Sequence, residues 1–108
     1  MEHPKFVIKQ TDGQYYFHLT SPNAEVILNS ELFTGREPAV GGVVAVKQNA
    51  LHDERYGRRK AHDGQHYFVL KTASGEVIGM SDTYRSKQAM ESGIDAVKKN
   101  ALLADVEG

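Results

Sequence analysis

The sequence of 108 residues contains no cysteine. That absence excludes disulfides, thiolate zinc sites, cysteine-ligated iron–sulfur clusters and cysteine nucleophiles. No stretch approaches the ~18 apolar residues of a membrane span. The opening Met1-Glu2-His3-Pro4-Lys5 lacks the apolar core of a signal peptide. The expectation is a cytoplasmic protein with no membrane contact. Long charged or low-complexity runs are also missing, which argues against disorder. The formal net charge is −1, whereas proteins that coat nucleic acid are strongly basic. Any such contact would need a local patch. There is no G-x-S-x-G, no Walker-type loop and no H-E-x-x-H. Gly35, Gly41 and Gly42 do not form a phosphate-binding pattern. What remains is ordinary globular material, 40% hydrophobic and 25% charged, long enough for one domain with one core.

The strongest positive signal is an internal repeat. Shifted by 51 positions, Lys5–Leu51 falls on Tyr56–Leu102 without a gap, and more than a third of the pairs are identical. Asp12-Gly13-Gln14 falls on Asp63-Gly64-Gln65, Glu25-Val26-Ile27 on Glu76-Val77-Ile78, and Asn49-Ala50-Leu51 on Asn100-Ala101-Leu102. Two copies are too few for a solenoid and imply a pseudo-two-fold domain.

Each copy opens on a short alternating run, Phe6-Val7-Ile8 in the first. Asp-Gly then marks a hairpin, because glycine tolerates positive φ. In the next run Tyr15, Phe17 and Leu19 share one face, as do His66, Phe68 and Leu70. Turns at Pro22-Asn23 and Ser74-Gly75 lead into third strands at Glu25–Ser30 and Glu76–Ser81. The period then changes to 3.6. Ala39, Gly42, Val43, Val46 and Ala50 form one apolar stripe, and Met90, Gly93, Ile94, Val97 and Ala101 form its counterpart. Ser86 is an N-cap candidate, and Thr34 with Glu37 reads as a capping box for the first helix. Mid-helix glycine is costly, so Gly42 and Gly93 predict close approach to the sheet or to Phe17 and Phe68. The expected fold class is α+β. Tandem β-β-β-α(-β) repeats, residues 5–51 and 56–102, form one antiparallel sheet of six to eight strands with two helices on one face.

This order of elements, ending in Ser92–Ala101, resembles the YegP-like family of small bacterial proteins. The resemblance runs from about Lys5 to Leu102 and is most specific over Tyr84–Ala101. It implies β-β-β-α-β units that exchange the strand after each helix. Those strands would lie near Arg55–Ala61 and Ala104–Glu107. It brings no activity, catalytic residue or cofactor. The first copy departs from the family's helix pattern at Pro38 and Gly41.

Chemistry-bearing residues are few. His62 and His66 flank a turn, an arrangement that fits exposed turn histidines better than metal ligands. Ser30 and Ser81 recur in both copies without a histidine at readable spacing. Glu25 and Glu76 recur beside turns, where a cap or cross-strand pair explains them. Two features favour binding. If the helices cover one sheet face, Tyr16, His18, Tyr67, Val69 and Lys71 point to the other, and the aromatics there stay at least partly exposed. The copies also diverge where Val7, Ile8 and Lys9 meet Arg58, Arg59 and Lys60. With Arg55 this gives a basic run at a strand that reads as an edge. The expected role is therefore a monomeric, non-enzymatic binding module. Its partner is a macromolecule, a protein before a nucleic acid, and no cofactor is expected. The alternative is a weak nucleic-acid binder through the outer sheet face and Arg55–Lys60, and the remote one a small enzyme with a spatially assembled site.

Overall fold

Two periodicities alternate along the chain, and the structure follows them. In the computed structural model, which describes residues 3–108, the order is β1 (Lys5–Thr11), β2 (Gln14–Thr20), β3 (Val26–Asn29) and α1 (Arg36–Asn49). A 3-10 turn (Asp53–Arg55) leads to β4 (Tyr56–Lys60), β5 (His66–Lys71), β6 (Val77–Met80), α2 (Lys87–Asn100) and β7 (Asp105–Glu107). The strands form one seven-stranded sheet in the order β4-β5-β6-β3-β2-β1-β7. The two halves meet where Asn29 pairs with Met80. These two residues are 51 apart, so the pseudo-two-fold axis passes between them. The strand after each helix does join the other half: β4 opens the second, and β7 closes on the first.

All neighbouring strands are antiparallel except β1 and β7, which run parallel. The sheet is thus antiparallel as expected but for this one pair at its edge. After α2 the chain passes the end of α1, where Lys47 Nζ donates to the Ala104 carbonyl at 3.1 Å. It then enters beside the start of β1, where the Asp105 N–H donates to the Pro4 carbonyl at 3.3 Å. Arriving at that end, it can only run alongside β1 in the same direction.

Both helices lie on one face. A contiguous core joins Phe6, Phe17, Leu19, Phe68 and Leu70 to Val43, Val46, Ile94 and Val97 of the helices, all but fully buried. Each such side chain contributes about 1.5–3 kcal/mol. The stripe glycines have the anticipated role. A Cβ at Gly42 would lie 2.7 Å from Phe33 Cζ and 2.9 Å from Phe17 Cε2, and one at Gly93 would strike the Tyr84 ring and Phe68. Phe33 and Tyr84 stack on Phe17 and Phe68, with centroids 6.0 and 6.4 Å apart. At the axis the copies differ for a steric reason. Leu28 fills the space that a side chain at its counterpart Gly79 would need, 2.7 Å from a Cβ there. Two leucines do not fit side by side on the axis.

Two local expectations need correction. Thr34 does not cap α1: Gly35 is the N-cap, and no side chain bonds the helix start. Ser86 does cap α2, its Oγ accepting from the Ala89 N–H at 3.0 Å. The repeat is also not gapless in space. Lys5 pairs with Thr20 and Phe6 with Leu19, but Tyr56 pairs with Leu70. Tyr56 thus takes the place of Phe6, an offset of 50. The Asp-Gly loops absorb the slip. Asp12 and Gly13, at φ 47 and 78, make a two-residue turn. The second loop has three residues, with the Gly64 N–H bonded to the Ala61 carbonyl and the Ala61 N–H to the Gln65 carbonyl.

Candidate functional site

The slip decides where the basic run points. Arg58 takes the position of Ile8, on the helix-covered face, and Arg59 takes that of Lys9, on the open face. Arg58 is held in a network at the rim. Its Nε donates to Glu91 Oε2 at 2.6 Å, and its Nη2 to Glu91 Oε1 at 3.0 Å and Asp53 Oδ1 at 2.9 Å. Lys98 Nζ reaches the same Asp53 oxygen at 2.8 Å. Hydrogen bonds from Lys98 and Arg58 hold the Asp53 carboxyl below the usual carboxylate range. The Arg58 hydrogen bond does the same for Glu91, and these two carboxylates raise the Arg58 guanidinium. Arg55 donates to Asn49 Oδ1 at the end of α1. Two of the four basic residues in the run are thus engaged inside the molecule.

The other two, Arg59 and Lys60, are exposed and stand at the edge of the sheet, since β4 has β5 on one side and, among the described residues, no strand on the other. At the opposite edge β7 covers the Lys5–Val7 end of β1. The pseudo-two-fold breaks here because the segment that would flank β4, corresponding to Ala104–Glu107, is the very chain that becomes the 3-10 turn and β4. The edge therefore stays open beyond Tyr56, whose N–H bonds back to the Asp53 carbonyl. Beside it lies a depression of about 260 Å³ lined by Arg58, Arg59, Lys60, His66, Lys87 and Met90. Lys87, His66 and Met90 were not among the sequence-derived candidates. His66 and Met90 sit on patterned positions, but Lys87 joins them only because α2 starts over β5.

The remaining candidates split into two groups on the open face. Tyr67 lies opposite Arg59 on adjacent strands, and the Lys71 chain passes 3.6 Å from where a Cβ on Gly57 would stand. Tyr16 and His18 lie on β2, opposite Lys9 and Val7. Two strands, β3 and β6, separate β2 from β5, which is roughly 14 Å at normal strand spacing. The sheet thus sets Arg59, Tyr67 and Lys71 on the open face of the neighbouring strands β4 and β5, with Lys60 next along β4 on its other face, and leaves Tyr16 and His18 apart. Tyr16, His18, Tyr67 and Lys71 are half-buried. Partial burial, and secondarily Lys9, push the His18 imidazole below its ordinary value. Val69 lies on the same face and is 0% exposed, flanked by Gly57 and Met80.

Several shared polar residues have backbone roles. Ser30 Oγ accepts from the Phe17 N–H at 2.8 Å and donates to the Glu31 carbonyl at 2.8 Å; Ser81 does the same for Phe68 and Asp82. At Glu25 and Glu76 the backbone N–H bonds the Ser21 and Thr72 hydroxyls. A further depression, about 300 Å³, gathers Ser21, Asn23, Glu25, Ser92 and Tyr84. Burial raises the Tyr84 hydroxyl, so at neutral pH it can donate a hydrogen bond but does not ionise. Among the described residues no three metal-type side chains converge, and no helix is long and apolar enough to cross a membrane.

Comparison with known proteins agrees with this architecture. The model of a domain of unknown function, DUF1508, matches twice, at residues 10–56 and 61–107, again 51 apart. A UPF0339 protein of Bordetella pertussis is 44% identical over 96 residues, covering 89% of this chain and 86% of that protein. The UPF0339 protein YegP of Escherichia coli is 41% identical over 99 residues, covering 92% and 90%. The solution NMR structure of E. coli YegP superposes with a TM-score of 0.90 at 37% identity, over 99% of this chain and 93% of that one. That of a UPF0339 protein from Shewanella oneidensis gives 0.89 at 33%, over 96% and 89%. With two matched domains, a shared fold and homology along nearly its whole length, this chain belongs to the YegP-like UPF0339 family, whose function is unknown.

Proposed function

We propose that the chain is a non-catalytic, monomeric binding module that engages a protein partner through the open β4 edge and its neighbours Arg59, Lys60, Tyr67 and Lys71. The observation that carries this reading is the broken symmetry: β7 covers the Lys5–Val7 end of the β1 edge, and among the described residues no strand lies beside β4. A bare edge offers unpaired backbone groups to an added strand. The adjoining tyrosine supplies a rigid amphipathic contact. Binding is favoured over catalysis because Ser30 and Ser81, the recurring hydroxyls, are committed to backbone bonds.

The alternative partner is nucleic acid, favoured by the convergence of Arg58, Arg59, Lys60 and Lys87 around one depression. Against it, Arg58 is already neutralised by Glu91 and Asp53, and Arg55 is hydrogen-bonded to Asn49. Pull-down from native lysate, with and without nuclease, separates the two. A protein partner survives nuclease. It is lost with Arg59→Glu plus Lys60→Glu and retained with Tyr16→Ser plus His18→Ser. Capture that disappears with nuclease and falls steeply with salt would replace the protein reading with the nucleic-acid one.

A further inference from the structure

The molecule contains its own example of a ligand for an edge of this sheet. β7 is only three residues long, Asp105-Val106-Glu107, yet it adds to β1 as a parallel strand. Its acids lie in register with Lys5 and Val7, on the open face, and Glu107 pairs with Lys5 Nζ at 3.1 Å. Its valine lies in register with Phe6, on the helix side. An acid–apolar–acid segment beside a basic strand is therefore a pairing that this fold already makes.

The β4 edge repeats, two or three residues further along, the backbone alternation that β7 uses on β1 at Lys5–Val7. Backbone groups alternate in direction along a strand. On β1, the Pro4 carbonyl faces β7 and the Ile8 backbone abuts Gly108, so Pro4, Phe6 and Ile8 present their backbone outward. On β4, the Ala61 N–H turns inward to Gln65 and the Tyr56 N–H outward to Asp53. Arg58 and Lys60 therefore present N–H and C=O to the open side. These are the positions of Ile8 and Gln10 under the offset of 50. The stretch is more basic than the one beneath β7, since Arg59 and Lys60 stand here where Lys5 is the lone cation among Lys5, Phe6 and Val7. On the helix side, the depression with Met90 at its wall and Lys87 at its mouth offers room for an apolar side chain between cations.

We infer that the β4 edge binds an extended acid–apolar–acid segment of a partner protein, which adds in parallel beside Gly57–Lys60 as β7 adds beside β1. Its acids meet Arg59 on the open face, and its apolar side chain faces the depression beside Met90. The inference rests on the proposed binding role and specifies the chemistry of the partner.

The probe is a capped peptide with the chain's own sequence Leu-Leu-Ala-Asp-Val-Glu-Gly, titrated into the full-length isotopically labelled protein. Amide shifts should change along Gly57–Lys60 and in Lys87 and His66, with β1 and β7 unmoved. The Arg58 and Lys60 amides should exchange with solvent at least tenfold more slowly when bound. Arg59→Glu plus Lys60→Glu should weaken binding tenfold or more, and a peptide with lysine in place of both acids should not bind. Shifts confined to β1 would mean that the peptide displaces β7, and would overturn the inference. So would an absence of shifts at millimolar peptide, or a single-stranded oligonucleotide that moves the β4 amides at lower concentration than the peptide does. If the peptide fails while the pull-down partner is still lost with the Arg59 and Lys60 variant, the binding role stands and the added strand does not.

Discussion

Two adjacent glycines on α1 give a sharp test of the packing. A Cβ on Gly42 would stand 2.7 Å from Phe33 Cζ and 2.9 Å from Phe17 Cε2. Ordinary carbon contacts lie at about 3.5–4.0 Å, so one partner must retreat by roughly 0.7 Å or more. Phe17 is 0% exposed and has nowhere to go. Phe33 stacks against it with rings 12° from parallel, so both rings close on the same point. Overpacking of this kind costs about 1–3 kcal/mol, and the higher helix propensity of alanine returns just under 1 kcal/mol. Gly42→Ala should therefore destabilise by up to about 2 kcal/mol. At Gly41 a Cβ meets nothing within 4 Å, so Gly41→Ala should stabilise by about 0.5–1 kcal/mol. Each 1 kcal/mol moves the melting temperature by about 4–8 °C in domains near this size. Thermal and urea unfolding of the two single variants should move in opposite directions. A stabilising Gly42→Ala would refute the close approach of α1 to the aromatic pair.

The other predictions concern a turn, a buried hydroxyl and a histidine. Ala24 holds φ 65 where its repeat counterpart Gly75 has φ 91. Ala24→Gly should therefore stabilise by about 1 kcal/mol and Gly75→Ala should do the reverse, by urea unfolding. The Tyr56 hydroxyl donates to the Ala50 carbonyl at 2.6 Å in the core. Tyr56→Phe should cost about 1–2 kcal/mol, and unchanged stability would mean that the bond is not made. The folded state resists protonation of His18. Its contribution to stability is thus complete above the ordinary histidine value of 6.5 and is lost as pH falls through that value towards the lower folded one. The His18 ring should titrate below that value by NMR, and His18→Gln should flatten the acid-side decline in stability.

Much of the fold was legible because the chain states it twice. The Asp-Gly turns, the Phe17 and Phe68 strands and the helical stripes repeat, and repetition separates pattern from accident. The register slip was not legible. In the first strand the repeat aligns Lys9 with Lys60 and nothing else identical, so the match at 51 carries little information there. The aromatic Tyr56, one residue off Phe6, was the one available signal for an offset of 50. The cost of missing it falls on the site. It is the slip that puts Arg58 over α2, where Glu91 and Asp53 hold it, and leaves Arg59 free on the open face. The full burial of Val69 was not legible either: an unroofed sheet face still buries a small side chain flanked by a larger one such as Met80. The parallel entry of β7 depends on where α2 ends in space, which three residues of sequence cannot express. Lys87 joined the cationic depression through the same tertiary placement.

The bare β4 edge is tested most directly by amide hydrogen exchange on the free protein. Gly57 and Arg59 bond to β5 and should exchange slowly, as should Phe6 beneath β7. Arg58 and Lys60 should exchange at least a hundredfold faster, giving an alternating pattern along β4. Uniform slow exchange from Gly57 to Lys60 would mean that the edge is already covered, and the broken symmetry on which the binding role rests would be gone.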